Sequence, residues 1–266
     1  MGSPDAWVGT LGMGTQTWPE RLLLVRHGES AGNVARDRAE AGGLPLIDIA
    51  ERDMDVPLSK RGERQATALG RWLGQLPPQE QPTVVLTSPY VRAVMTTDIA
   101  LDASGVRPRP AVLIDERLRE REFGVLDRLT RSGITARFPE EAERRAHVGK
   151  FYHRPPGGES WCDVILRVRN VLDTITRDHG GERVLVVAHQ VVVLMFRYVL
   201  ECLTEAEILA IDRQEGLVNC SVASYVYDGG RNGKSALTRR LWNHVAPVAA
   251  AGAPVTAEPD VPAAPR

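Results

Sequence analysis

Arg26 and His27 stand side by side where the apolar run Leu22 to Val25 meets Gly28. Four apolar residues without a polar break read as a strand buried on both faces, the pattern of a parallel sheet. The polar pair then falls at that strand's carboxyl end, the edge where open α/β sheets bind ligands. A guanidinium beside an imidazole, followed by a glycine that lets backbone approach closely, suits an anion that is both held and attacked. Two further apolar runs hand over in the same way. TVVLT at 83–87 leads through Ser88 to Arg92, and RVLVVA at 183–188 leads to His189. Glu120 follows a weaker run, AVLI at 111–114. Parallel strands would bring all of these groups to one rim.

The chemistry this set supports is phosphoryl transfer through a covalent phosphohistidine. A neutral His27 offers one ring nitrogen's lone pair to phosphorus while the other nitrogen donates to a fixed acceptor. Arg26, Arg92, His189 and the amide of Asn33 are the expected clamp for the charge on the phosphoryl oxygens. Removing one such donor costs roughly 2.7 to 4 kcal/mol of transition-state stabilisation. Glu120 is the candidate general acid for the leaving alkoxide and then the base that activates water, because desolvation and a nearby dianion both raise its pKa. Arg92 is expected in the first turn of a helix, where the macrodipole disfavours a cation unless an anion faces it.

The elements that must position these groups alternate between strand-like and helix-like segments. A chain of 266 residues is long enough for one large domain with a substantial core. Its net charge of -1 leaves no electrostatic footprint for nucleic acid or anionic membrane, so anion selectivity must be local. Cys162, Cys202 and Cys220 form no CxxC pair, which argues against a disulfide framework or a structural zinc site. With no basic-then-apolar leader, the expected compartment is the cytoplasm. No run approaches the length of a membrane span.

Residues 1–20 read as an irregular lead-in, 21–244 as a single domain and the Ala/Pro-rich 245–266 as a flexible tail. Ser59 looks like the N-cap of a helix to about Leu76, the Ser88-Pro89 pair opens another through about Leu101, and a third runs from about Ser160 to Asp178. The alternating segments SVASYVY and LTRRLW, split by DGGRNGK, predict a β-hairpin at the sheet edge. The polar stretches 31–57, read as irregular, and 125–160 are candidate walls of the site. The predicted fold is a three-layer α/β/α sandwich with a mostly parallel central sheet.

Taken in order, RHGES with Asn33, PLSKRGERQA at 57–66, SPYVRAVMT at 88–96, E-x-x-F-G from Glu120 to Gly124, PGGES at 156–160 and VVAHQ at 186–190 resemble the histidine phosphatase superfamily. That family includes the phosphoglycerate mutases and the bisphosphatase half of the bifunctional fructose-2,6-bisphosphate enzyme. The resemblance implies a phosphoglycerate mutase-like fold, with His27 as the phosphorylated nucleophile and Arg26 and Arg92 as phosphate-binding arginines. It makes His189 the second core histidine, Asn33 a phosphate contact and Glu120 the proton donor, with no metal and no cofactor. Gln190 after the second histidine, RFPEEAERR at 137–145 and PGGESW are similar to the bisphosphatase branch. They add Gln190, Arg145, Lys150 and Trp161 as candidate substrate-binding residues.

The resulting expectation is a metal-independent phosphomonoesterase acting on a small phosphorylated metabolite, with a sugar phosphate among the candidates. No nucleic-acid or membrane partner is expected, and homo-oligomerisation is left open. A phosphoglycerate mutase-type phosphotransferase is the nearest rival, because the same phosphohistidine can return its phosphate to a product. Against it, the sequence after Gly124 lacks the insert rich in tryptophan, arginine and proline that is associated with the mutases. A zinc hydrolase built on His27 and His189 lacks HExxH spacing, and two arginines would repel the cation. A catalytically silent phosphate-binding protein would not need every core position, and every one is present.

Overall fold

Strand β1 (Arg21–Arg26) is apolar throughout its middle because it lies inside the sheet, with neighbours on both edges and helices over both faces. The computed structural model describes residues 18–229, 237–245, 248–249 and 255–256. The other strands are β2 (Val84–Thr87), β3 (Ala111–Ile114), β4 (Arg183–Ala188), β5 (Val222–Tyr227) and β6 (Leu237–His244). They lie in the order β3-β2-β4-β1-β5-β6. The first four in that order run parallel, β5 is antiparallel to β1, and β6 is antiparallel to β5. The hairpin expected at the sheet edge is therefore present, and 230–236 of its connection lies outside the described residues.

The helices are α1 (Ala31–Ala41), α2 (Lys60–Gln75), α3 (Val91–Ser104), α4 (Arg131–Arg137), α5 (Pro139–Val148), α6 (Trp161–Asp178), α7 (Gln190–Leu200) and α8 (Glu205–Glu215). Side chains alternate across a strand, so each buried strand feeds two cores. Leu22, Leu24, Val84, Leu86, Val184 and Val186 pack with Val164, Val168 and Phe196 of α6 and α7. Leu23, Val25, Val85, Leu185 and Val187 pack with Leu69 and Leu73 of α2 and Ala93 and Leu101 of α3. Three layers result. A one-residue slip would exchange the two sets, and each such side chain contributes roughly 1.5 to 3 kcal/mol by burial, so the register at the rim is strongly fixed.

Two local expectations are corrected. The stretch 31–57 is not irregular throughout, because it opens with α1. Ser30 and Asn33 form its capping box, but Ala39 is its one buried residue, so no apolar stripe marks the helix in the sequence. Ser88 does not cap α3, which has Tyr90 at its N-cap. Its hydroxyl instead meets His189 Nε2 at 2.8 Å.

Within 245–266, read as a flexible tail, Val248 is buried in the core beside α2 and α3. Thr256 Oγ1 donates to Asn219 Oδ1 at 3.0 Å. Most of that stretch, and 1–17 of the lead-in, fall outside the described residues. No helix among the described residues is long and apolar enough to cross a membrane.

Candidate active site

β1, β2 and β4 end at one rim, and the backbone there continues the sheet's hydrogen bonding into the loops. His27 N–H donates to Ala188 O at 2.9 Å and Ser88 N–H to Val187 O at 3.0 Å. Gly28 N–H donates to Thr96 Oγ1 at 3.0 Å, and His27 O accepts from Asn219 Nδ2 at 3.0 Å. The buried Glu29 carboxylate accepts from Ser59 Oγ at 2.5 Å and pairs with Arg61 at 2.9 Å, while Glu29 N–H donates to Gln65 Oε1 at 2.8 Å. The start of α2 therefore clamps the loop that carries His27. The clamp needs bare backbone: a Cβ on Gly62 would lie 2.0 Å from Glu29 O, and one on Gly28 would lie 2.7 Å from Gly62 O.

His27 Nδ1 donates to Gly28 O at 2.7 Å, and a carbonyl can only accept, so the neutral ring carries its lone pair on Nε2. Arg92 Nε donates to that Nε2 at 3.3 Å. Burial first, and then the charges of Arg92 and Arg26, hold the His27 pKa well below the ordinary histidine value. The imidazole stays uncharged. His189 is fully buried, with its ring 5.1 Å from that of His27. Burial, Arg92 and His27 depress its pKa as well.

Glu120 Oε2 lies 3.6 Å from His189 Nδ1, and its side chain is 16% exposed. Burial raises its pKa above the usual carboxylate range, against the opposing pull of Arg92 and of the Arg121 N–H that donates to Oε1 at 2.8 Å. A frame sets its place. Gly124 has φ 56, and a Cβ there would meet Pro156 O at 2.1 Å. Glu159 N–H donates to Glu122 O at 2.9 Å, and Arg167 donates to Glu120 O at 3.3 Å while its Nε pairs with the Glu159 carboxylate at 3.0 Å. The E-x-x-F-G and PGGES motifs are thus one structural unit.

Arg92 does face an anion, as its helix-start position demands. Asp53 brings Oδ1 to 3.1 Å from Nη1 and Oδ2 to 3.2 Å from Nη2, and its own carbonyl accepts from Nη1 at 2.5 Å. Sequence reasoning misses Asp53, Asn219 and the turn of Ser88 toward His189. Each reaches the rim through tertiary packing, and no spacing marks it.

Arg26, His27, Asn33, Arg92, Glu120 and Gln190 line one cleft, with Arg36, Asp53, Phe123, Arg128, Ile47 and Ile49 completing much of its wall. His189, expected in the clamp, is not among the lining residues and meets His27 edge-on. Arg145, Lys150 and Trp161 are not among the lining residues. Arg145 is buried on α5. Lys150 Nζ pairs with Asp212 Oδ2 at 2.6 Å and sits 5.0 Å from the Trp161 ring, which is itself fully buried in the core.

Ligand atoms of His27, Glu120 and His189 lie within 4.8 Å of one another, close enough to surround a cation. The charges do not fit one. Arg92 donates into the His27 lone pair a metal would need, and Arg26 adds a second fixed positive charge, so the cleft's floor has the field of an anion site.

The model of the histidine phosphatase superfamily (branch 1) matches residues 22–239 of this chain. A 2,3-bisphosphoglycerate-dependent phosphoglycerate mutase of Methylobacterium radiotolerans is 34% identical over 201 residues, covering 74% of this chain and 87% of that protein. Among solved structures, a mycobacterial glucosyl-3-phosphoglycerate phosphatase is 26% identical with a TM-score of 0.65, covering 85% of this chain and 99% of that one. YhfR from Bacillus stearothermophilus is also 26% identical with a TM-score of 0.65, covering 86% and 98%.

Proposed function

The chain belongs to the histidine phosphatase superfamily, and from that premise we propose that it hydrolyses a small phosphorylated metabolite through a phosphohistidine on His27. The observation that carries this reading is the neutral His27 Nε2 lone pair held 3.3 Å from the Arg92 guanidinium, in a cleft that Arg26 and Glu120 also line. Nε2 attacks phosphorus and the ester P–O bond breaks. Glu120, whose pKa burial raises, passes its proton to the leaving alkoxide. The arginines neutralise the equatorial oxygens during transfer. Glu120, now ionised, takes a proton from water, whose oxygen attacks phosphorus. The P–N bond breaks, releasing phosphate and restoring neutral His27. No step in this sequence calls for a metal ion, and a sugar phosphate is one candidate substrate.

The 34% identity to a mutase favours a second reading, in which the phosphohistidine returns its phosphate to a product. Incubating the full chain with a library of phosphorylated metabolites separates the two. Phosphate release without a bisphosphate primer, undiminished by a strong chelator, is expected. Primer-dependent isomerisation of phosphoglycerate with little phosphate release would replace hydrolysis by mutase chemistry.

A further inference from the structure

A chain of hydrogen bonds leaves the loop that carries His27, passes through a residue late in the sequence and returns to the same loop. Glu29 N–H donates to Gln65 Oε1 at 2.8 Å, which leaves the Gln65 amide nitrogen to donate to Thr256 Oγ1, also at 2.8 Å. A hydroxyl has one proton to give, and that of Thr256 goes to Asn219 Oδ1 at 3.0 Å. Asn219 Nδ2 is thereby turned to the loop, where it donates to His27 O at 3.0 Å. All four bonds run in one direction, so each polarises the next, and the series closes on the backbone between His27 and Glu29.

Thr256 lies beyond residue 239, where the match to the superfamily model ends. Two further contacts hold its segment in place. Val248 is fully buried in the core beside α2 and α3, and Thr256 O accepts from Asn219 N–H at 2.9 Å. Asn219 sits among other supports of the loop. Cys220 N–H donates to Arg26 O at 3.0 Å, and Leu217 O accepts from Arg26 Nη1. Gln65 belongs to α2 and Asn219 to the stretch ahead of β5, and both are fully buried. The Thr256 hydroxyl is the joint between these two supports.

We propose that the segment carrying Val248 and Thr256 is a strap that fixes the nucleophile loop, with the Thr256 hydroxyl as a positioning residue for phosphoryl transfer to His27. By accepting from one amide and donating to the other, the hydroxyl sets which way both point. A rotated Asn219 amide would set its oxygen against His27 O, two acceptors face to face, and the loop would shift. His27 Nε2 must meet phosphorus in line with the leaving oxygen, so a small shift slows bond formation more than it weakens binding of the phosphate. That consequence rests on the proposed hydrolysis, whereas the strap's hold on the loop does not.

Thr256→Val removes the hydroxyl and keeps the branched shape, and Thr256→Ser keeps the hydroxyl. Hydrogen exchange of the full chain, read by mass spectrometry, tests the strap without any substrate. In Thr256→Val the peptide spanning 26–30 is expected to exchange about tenfold faster while α6 exchanges at the wild-type rate, and Thr256→Ser restores the loop. On an ester that the wild type hydrolyses, Thr256→Val lowers kcat by about tenfold with KM within about twofold, and Thr256→Ser recovers most of the loss. Wild-type exchange at 26–30 in Thr256→Val overturns the proposal, and so does faster exchange spread equally over α6. A positioning role is equally overturned by an unchanged kcat, or by a serine variant no better than the valine one. A wild-type chain inert toward every phosphate ester would sink the phosphatase reading alone, because the exchange rates still decide whether the strap holds the loop.

Discussion

The loop Arg26–Ser30 and the segment 43–57 face each other across the cleft and are held in opposite ways. In the loop, backbone groups of Arg26, His27, Gly28 and Glu29 bond to Cys220, Ala188, Asn219, Thr96 and Gln65, and the side chains are buried. The segment exposes Leu44, Leu46 and Met54 and is tied down at a few points. Arg128 Nη1 and Nη2 donate to Ile49 O at 3.0 Å and Glu51 O at 2.6 Å, and Leu46 makes an isolated bridge to Leu129. Asp53 also fastens the segment to Arg92, and Ile47 and Val56 are its buried apolar residues, whereas moving the loop breaks backbone bonds to the sheet and to α2 and α3. In the proposed reaction, bond-making falls to the loop and contact with the rest of the substrate to the segment.

Variants should therefore separate into those that stop turnover and those that change affinity. His27→Ala should reduce phosphate release to background, measured on whichever ester the wild type turns over fastest. Gly62→Ala should come next, although it touches no substrate. Its Cβ overlaps Glu29 O, so thermal unfolding should show a loss of about 1 to 3 kcal/mol together with a fall in kcat. A fully active, equally stable Gly62→Ala protein would mean that the loop is not clamped as described.

Glu120→Gln should lower kcat on alkyl phosphates by about 10² to 10⁴-fold and on aryl phosphates far less, since good leaving groups need no acid. The pH profile of kcat/KM carries the same information. The depressed His27 pKa keeps the nucleophile neutral below the ordinary histidine range, and the raised Glu120 pKa keeps the acid protonated above the ordinary carboxylate range. Activity should therefore fall on the acid side as His27 protonates and on the alkaline side as Glu120 ionises. Only the alkaline limb should disappear in Glu120→Gln. Arg128→Ala, on the segment's side of the cleft, should have the smallest effect: KM rises by up to about tenfold, or about 1.4 kcal/mol, with kcat nearly unchanged. A larger loss in kcat than in KM would erase the contrast between the two regions.

The same contrast explains what the sequence reveals. β1, β2 and β4 are legible because a strand covered on both faces needs an unbroken apolar run, and the residue after each run lands on the rim. His27, Arg92 and His189 are found that way, Glu120 is found by following the weaker run at 111–114, and the four do converge. α1 is hidden because one buried residue leaves no periodicity, and Asp53 because a carboxylate in a polar stretch has no local mark. Arg145, Lys150 and Trp161 carry a pattern of sequence, yet Lys150 pairs with Asp212, Trp161 lies in the core, and Arg145 is buried on α5 outside the cleft's lining. The run at 111–114 reads as a strand correctly, but composition alone does not tell a strand buried within its own chain from one left bare at an edge.

The central claim is covalent capture of phosphate by His27. Acid-sparing quench during turnover, followed by peptide mapping of the phosphorylated side chain, tests it most directly. A phosphoryl group on His27 that forms and decays at rates consistent with kcat, and that is missing from His27→Ala, is the expected result. Steady turnover with no phosphoenzyme, or with phosphate mapped to another residue, would contradict it.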